Sequence, residues 1–294
     1  MIAASRRSGG IIERVLQNKG ALLSILFLAG LVLLTSVARW ILPFDALTQD
    51  FTSMLQGPNR VHWFGTDELG RDILARVVFG ARTSLITAAG AVAIAALIGV
   101  PIGLVAGFFG GWRDALLMRF VDVLLSLPGI LFAMAMIAVL GRSQMAALIA
   151  VGITGIPSFA RITRAQVLSL RKRDFVTAVE ALGGSSGYNM FRTVLPNSWS
   201  PILVQAVILS AVAILIEASL AFLGIGIPPP TPSWGEMLRT GKSFLHDAPT
   251  YAILPGLVLT MTILSLDTIG RALGAALEDR HEQGTNAEPE RSPA

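Results

Sequence analysis

Apolar residues along this chain gather into blocks long enough to cross a bilayer, which takes about 20 residues. Six such blocks can be read, at residues 21–42, 84–109, 116–140, 145–168, 201–225 and 251–273. The pattern predicts an all-α polytopic membrane protein with six transmembrane helices and no separate soluble domain. The first block has a longer apolar core than a signal peptide's, and no small-residue cleavage site follows at Arg39-Trp40-Ile41, so it is expected to stay as a helix. Residues 1–19 then form an inner N-terminal segment and residues 20–278 the membrane domain. The polar stretch 279–294, with Pro289 and Pro293, is expected to be disordered.

Composition agrees with this division. Of 294 residues, 53% are hydrophobic and 14% charged, against about 25% charged in an ordinary soluble domain. Fifteen of the 23 Lys and Arg residues fall on one side of the blocks if both termini are cytoplasmic, and seven on the other. The basic balance is therefore read as topology, with lipid as a neighbour and no nucleic acid. There are no cysteines, which excludes disulfides and thiolate chemistry.

Two outer segments are too long for simple turns: residues 43–82, and residues 225–250 with Pro228, Pro229, Pro230 and Pro232. Within the second block Gly99, Gly103 and Gly107 recur every four residues, so they share one helix face and admit a close neighbour. Pro101 in that run gives a second reading, a flexing helix in a transport path. Glu217 lies inside the fifth block and must face protein or water, either lining a path or bonding a neighbouring helix. Asp122 follows Arg119 by three residues, a spacing at which the two pair on one helix face. Asp267 is open to either role.

The segment 171–197 faces the cytoplasm in this topology. Phe175, Val176, Val179 and Leu182 recur at helical spacing, Asp174 stands early, and Gly183-Gly184 supplies a stop. A short helix with an apolar face needs a lipid surface or a groove in a partner protein to cover it.

This segment resembles the cytoplasmic signature of permease subunits in bacterial ATP-binding-cassette importers. There a Glu-Ala-Ala triplet precedes a Gly and then Leu-Pro; the matching positions are Thr177-Ala178-Val179, Gly183 and Leu195-Pro196. Thr177 and Val179 depart from the triplet, while the spacing of Gly183 and Leu195-Pro196 is kept. FGTDELGRDILARVVFGARTSL, GFFGGWRDALLMRFVD and EASLAFLGIGIPPPTPSWGEML are similar to the dipeptide, oligopeptide and nickel branch, second permease subunit. The run SLDTIGRALGAALED keeps Gly270 but lacks the Asn, Gly-Asp and Arg-Asp groups usual in that branch.

The resemblance implies a MetI-like importer-permease fold in a bacterial inner membrane. It also implies a second permease, two cytoplasmic ATPases holding ATP and Mg, and an extracytoplasmic solute-binding protein. Asp174, Phe175, Thr177, Ala178, Val179, Leu182, Gly183, Leu195 and Pro196 would form the ATPase-coupling segment. Peptides are the expected cargo, with nickel or another small solute as the alternative.

Other chemistry is not signalled. GEMLRTGKS, residues 235–243, has five residues between its glycines where a phosphate-binding loop needs four, so no ATPase site is expected here. His62, His246 and His281 lack metal-ligand spacing. An ion-coupled secondary transporter is the competing class, motivated by Glu217, Asp122 and Asp267, but no internal repeat supports it.

Overall fold

The computed structural model describes residues 11–286. A short helix α1 (Ile11–Gln17) leads to Asn18, whose side-chain Oδ1 accepts from the amides of Gly20 and Ala21 at 3.0 and 3.2 Å. That cap satisfies two of the free amides at the start of α2 (Lys19–Ile41), the first span. Asp72 does the same for α3 (Ile73–Phe109), accepting from the Ala75 amide at 2.8 Å.

Helix α3 begins at Ile73, well ahead of residue 84, where its apolar block was expected to start. Its 37 residues extend about 55 Å at 1.5 Å per residue, against about 30 Å of hydrocarbon. The extra outer turns carry Arg76 and Arg82, residues that a hydropathy threshold assigns to a loop.

The third block is not one straight span. Gly110 and Gly111, both at positive φ, turn the chain into α4 (Gly111–Leu125), and α5 (Gly129–Leu140) follows at an 85° bend. Pro128 explains the break, since it has no amide to donate and disfavours helical geometry at Leu127. Among the described residues five helices are long and apolar enough to cross a membrane singly, and the bent pair meets the same measure only when its two helices are taken together, as a broken span or a re-entrant loop.

Helix α6 (Gln144–Leu170) starts at Ser143, which caps it through the Ala146 amide at 3.0 Å. The inner segment holds α7 (Asp174–Ala181), then α8 (Ser186–Tyr188), a π-helical stretch (Asn189–Val194) and α9 (Leu195–Asn197). Helix α10 (Trp199–Phe222) returns to the opposite end of the bundle. There the proline-rich loop delivers α11 (Trp234–Gly241), and α12 (Thr250–Asn286) completes the bundle.

Helix α12 runs on to Asn286, so the tail expected to be disordered from residue 279 begins as helix. Ala, Leu and Glu are strong helix formers, and Ala272–Glu278 is rich in them, so the last span propagates beyond its apolar block. Residues 287–294 of that expected tail, and residues 1–10 of the N-terminal segment, lie outside the described residues.

The principal seam is between α3 and α6, and the glycine stripe makes it. A Cβ on Gly99 would stand 2.6 Å from the Ile156 carbonyl oxygen, and one on Gly107 2.8 Å from Val167 Cβ. A Cβ on Gly103 would overlap the Ala160 carbonyl oxygen. From the other side, Gly152 meets the Ala91 carbonyl oxygen at 3.0 Å on the same test. Gly99, Gly103 and Gly107 therefore face the backbone and side chains of α6, as the close-packing reading expects.

Candidate coupling surface and buried ionic lattice

Helix α7 is closed by backbone chemistry that its glycines permit. The Gly184 amide donates to Val179 O at 2.9 Å and the Gly183 amide to Glu180 O at 3.0 Å, which is the Schellman arrangement. Gly183 sits at φ 83°, and a Cβ there would meet nothing within 4 Å, so conformation rather than space requires glycine. At Gly184 the requirement is space, since a Cβ would stand 2.8 Å from Val179 O. Asp174, in the first turn, complements the helix dipole, and the Thr177 hydroxyl donates to the Asp174 carbonyl at 2.9 Å.

The apolar residues of α7 divide between two tasks. Val176 is buried and joins Leu104 and Phe108 of α3, Val167 of α6, and Met190 and Val194 in one cluster. Phe175 and Leu182 point away, Leu182 being 88% exposed. The helix thus presents only part of its apolar face, because Val176 is used to hold it against the bundle. Asn189, fully buried, strengthens that hold: its Nδ2 donates to Val176 O at 3.2 Å and reaches Glu180 Oε1 at 3.4 Å.

The predicted coupling residues fall into two groups. Asp174, Phe175, Thr177, Ala178, Leu182 and Gly183 lie on the exposed side, and Val179 is half-buried. Leu195 packs against the buried cluster, so it supports the segment from behind, while Pro196 is exposed in the first turn of α9. Tyr188 and Phe191 enlarge the exposed apolar surface. Sequence periodicity missed them because the chain there is α8 followed by a π turn, which has no 3.6-residue repeat.

The intramembrane acids settle differently from one another. Glu217 on α10 is buried, and Ser84 Oγ of α3 donates to its Oε2 at 2.9 Å. The carboxylate thus bonds a neighbouring helix. Asp122 does not pair with Arg119: Arg161 Nη2 of α6 reaches its Oδ1 at 2.8 Å, and both side chains are half exposed. The partner changes because α4 lies across α6, where Arg164 also makes a two-pronged contact with Asp114, 2.6 Å on each arm. Asp267 pairs with Arg271 one turn away on α12.

At the end of the bundle remote from α7 stands a buried ionic lattice, where counting charges by topology sees only loop residues. Asp67 Oδ2 takes Arg71 Nε at 2.6 Å and Arg76 Nε at 3.2 Å. Arg76 Nη2 continues to Glu236 Oε2 on α11 at 3.1 Å, and Arg71 Nη2 to Glu68 Oε1 at 3.0 Å. Trp234 adds a bond from its indole nitrogen to Val77 O at 3.0 Å. His62 Nδ1 lies 3.0 Å from Asp72 Oδ2, the residue that caps α3. The outer segment and α11 are in this way fastened to the protruding turns of α3. Outside the spans, Asp50 is held below the ordinary carboxylate range by hydrogen bonds from the Thr52 and Ser53 hydroxyls.

Comparison with known proteins gives this architecture its place. Residues 99–282 match the family described as the inner membrane component of binding-protein-dependent transport systems. Residues 9–58 match the N-terminal transmembrane domain of oligopeptide transport permease C. The dipeptide transport system permease protein DppC of Alkalihalophilus pseudofirmus is 39% identical, over 91% of this chain and 88% of that one. The di/tripeptide transport system permease protein DppC of Pseudomonas aeruginosa is also 39% identical, over 90% and 89%. The glutathione transport system permease protein GsiD of Escherichia coli is 41% identical, over 88% and 86%. Among solved structures, the MetNI methionine transporter in inward-facing conformations has a chain of the same fold, with TM-score 0.58 at 17% identity, covering 69% of this chain and 97% of that one. The chain, a transport component and not an enzyme, belongs to the family of inner membrane permeases of binding-protein-dependent ATP-binding-cassette transport systems.

Proposed function

We propose that this chain is one of two permease subunits of an importer for short peptides, and that the α7 segment carries ATPase movement to the membrane helices. The observation that bears most weight is the division of labour within α7. Phe175 and Leu182 project from a segment that Val176 and Asn189 fix to the inner ends of α3 and α6. A force applied to the projecting side chains is delivered to the principal helix seam, as rigid-body coupling between two-state elements requires.

ATP and Mg would then be held by two separate ATPases, with a solute-binding protein meeting the outer segments. Both termini would be cytoplasmic, in keeping with the distribution of Lys and Arg. The peptide cargo is favoured because the relatives above are named for dipeptide, di/tripeptide and glutathione transport.

The test is uptake into proteoliposomes containing both permeases, with and without the ATPases and loaded binding protein. Peptide uptake should require all of them, and Gly183→Trp should uncouple ATP hydrolysis from uptake while the chain stays in the membrane. Uptake driven by an ion gradient in the purified single chain would overturn the importer reading. Transport of nickel but not of peptides would overturn the cargo.

A further inference from the structure

An open pocket of about 550 Å³ lies at the outer end of α10, within the roughly 300–1,000 Å³ range of small-molecule sites. Its lining includes Phe222 and Leu223, the cations Arg71, Arg239 and Lys242, and the carboxylates of Glu68 and Glu236. The charges around it are not balanced within the pocket. Arg71 is engaged by Asp67 and Glu68, and Glu236 is engaged by Arg76 and Thr240. Arg239 and Lys242 enter no ion pair among the described residues, and Lys242 lies 4.9 Å above the Phe222 ring. Set against Asp67, Glu68 and Glu236, the four cations Arg71, Arg76, Arg239 and Lys242 leave this end of the pocket with one net positive charge, and Arg239 and Lys242 are the two cations not held in an ion pair.

The position of the pocket matters as much as its charge. Along α10, Ile208, Val212, Leu215 and Phe222 are exposed at spacings of four, three and seven residues. They lie along one partly exposed apolar side of the helix, which ends at Phe222 in the pocket lining.

We propose that this pocket receives the carboxylate end of the cargo as it leaves the solute-binding protein, with Arg239 and Lys242 as donors. The assignment rests on the peptide-permease reading above. Short peptides differ in their side chains but share a terminal carboxylate, so a passage admitting many of them is best served by holding that constant group. Arginine matches a carboxylate with two parallel N–H groups, and lysine adds a mobile point charge. The apolar face of α10 beneath would accept varied side chains without demanding directional bonds.

The experiment uses the complete complex in proteoliposomes, with trialanine as the probe. In the Arg239→Gln/Lys242→Gln pair, uptake at saturating loaded binding protein should fall about tenfold, the loss expected for charge-assisted hydrogen bonds. Binding-protein affinity and stimulated ATP hydrolysis should stay at the wild-type level, and Arg239→Lys, which keeps a cation, should retain most of the uptake. Single Lys242→Gln, at an exposed position, gives the same direction without risk to folding. Wild-type uptake in the double variant would overturn the assignment. So would a loss of uptake matched by weaker binding-protein affinity, which would make the two cations a protein-docking contact. If the wild-type complex takes up no trialanine, the peptide reading itself falls and this assignment with it.

Discussion

Arg76 and Glu236, 160 positions apart in sequence, meet at 3.1 Å with both side chains buried. Asp67 contacts the same guanidinium at 3.2 Å, so one arginine joins the outer segment, α3 and α11. A buried pair of this kind adds little net stability over an apolar replacement, because desolvation offsets the attraction. Removing one member is another matter, since its partners stay buried and charged.

Arg76→Ala should therefore destabilise the chain by about 3–5 kcal/mol. Combining it with Glu236→Gln should recover part of that loss. Thermal unfolding in detergent measures both. A single variant with an unchanged midpoint would mean that the lattice is not closed in the folded protein.

Val176 is buried and Leu182, at the C-cap of the same short helix, is exposed, so the proposed coupling role assigns anchoring to one and docking to the other. Val176→Ala should cost about 1–2 kcal/mol through lost burial. Leu182→Ala should change stability by no more than about 0.5 kcal/mol, since the side chain is exposed, yet weaken binding of the ATPases. Unfolding and pull-down measurements on the two variants distinguish the roles. Equal effects of both in both assays would contradict the division.

Gly103→Ala should open the α3–α6 seam, because the added Cβ would overlap the Ala160 carbonyl oxygen. A loss of about 1–3 kcal/mol is expected from overpacking. Gly30→Ala is the control, with nothing within 4 Å of its Cβ, and should be neutral or slightly stabilising. The comparison can be made on melting midpoints.

Asp50 sets a pH dependence whose sign follows from its partners. Hydrogen bonds from Thr52 and Ser53 lower its folded value below the unfolded one, about 3.9. Its contribution is thus fully present above that value and lost as pH falls through the lower, folded one. Hydrogen exchange at the Thr52 amide, which donates to Asp50 at 3.0 Å, should be unaffected between pH 7 and 5 after correction for intrinsic rates, with extra opening only below about 4. Asp50→Asn should remove that acid step.

Several features were legible because they are local. The Gly99, Gly103 and Gly107 spacing already specified a close-packing face, and Gly183-Gly184 already specified where α7 stops. The bend between α4 and α5 was equally local: Ser126-Leu127-Pro128-Gly129 carries the breaker, but averaging hydropathy over a whole span hides it. The start of α3 was lost for a similar reason. Asp72 is a proper cap, yet the charged residues just after it look like loop when hydropathy alone is weighed.

Helix identity, membrane residence and the short helix α7 depend on residues within a few turns of one another, so the amino-acid order alone determined them. Partner choice did not. Whether Asp122 pairs with Arg119 or Arg161, whether Glu217 bonds Ser84, and whether Arg71 and Arg76 are held in ion pairs while Arg239 and Lys242 are not, depends on which helices cross. Ion pairs and hydrogen bonds act over a few ångströms, and only the packed bundle brings residues 39, 133 or 160 positions apart within that range.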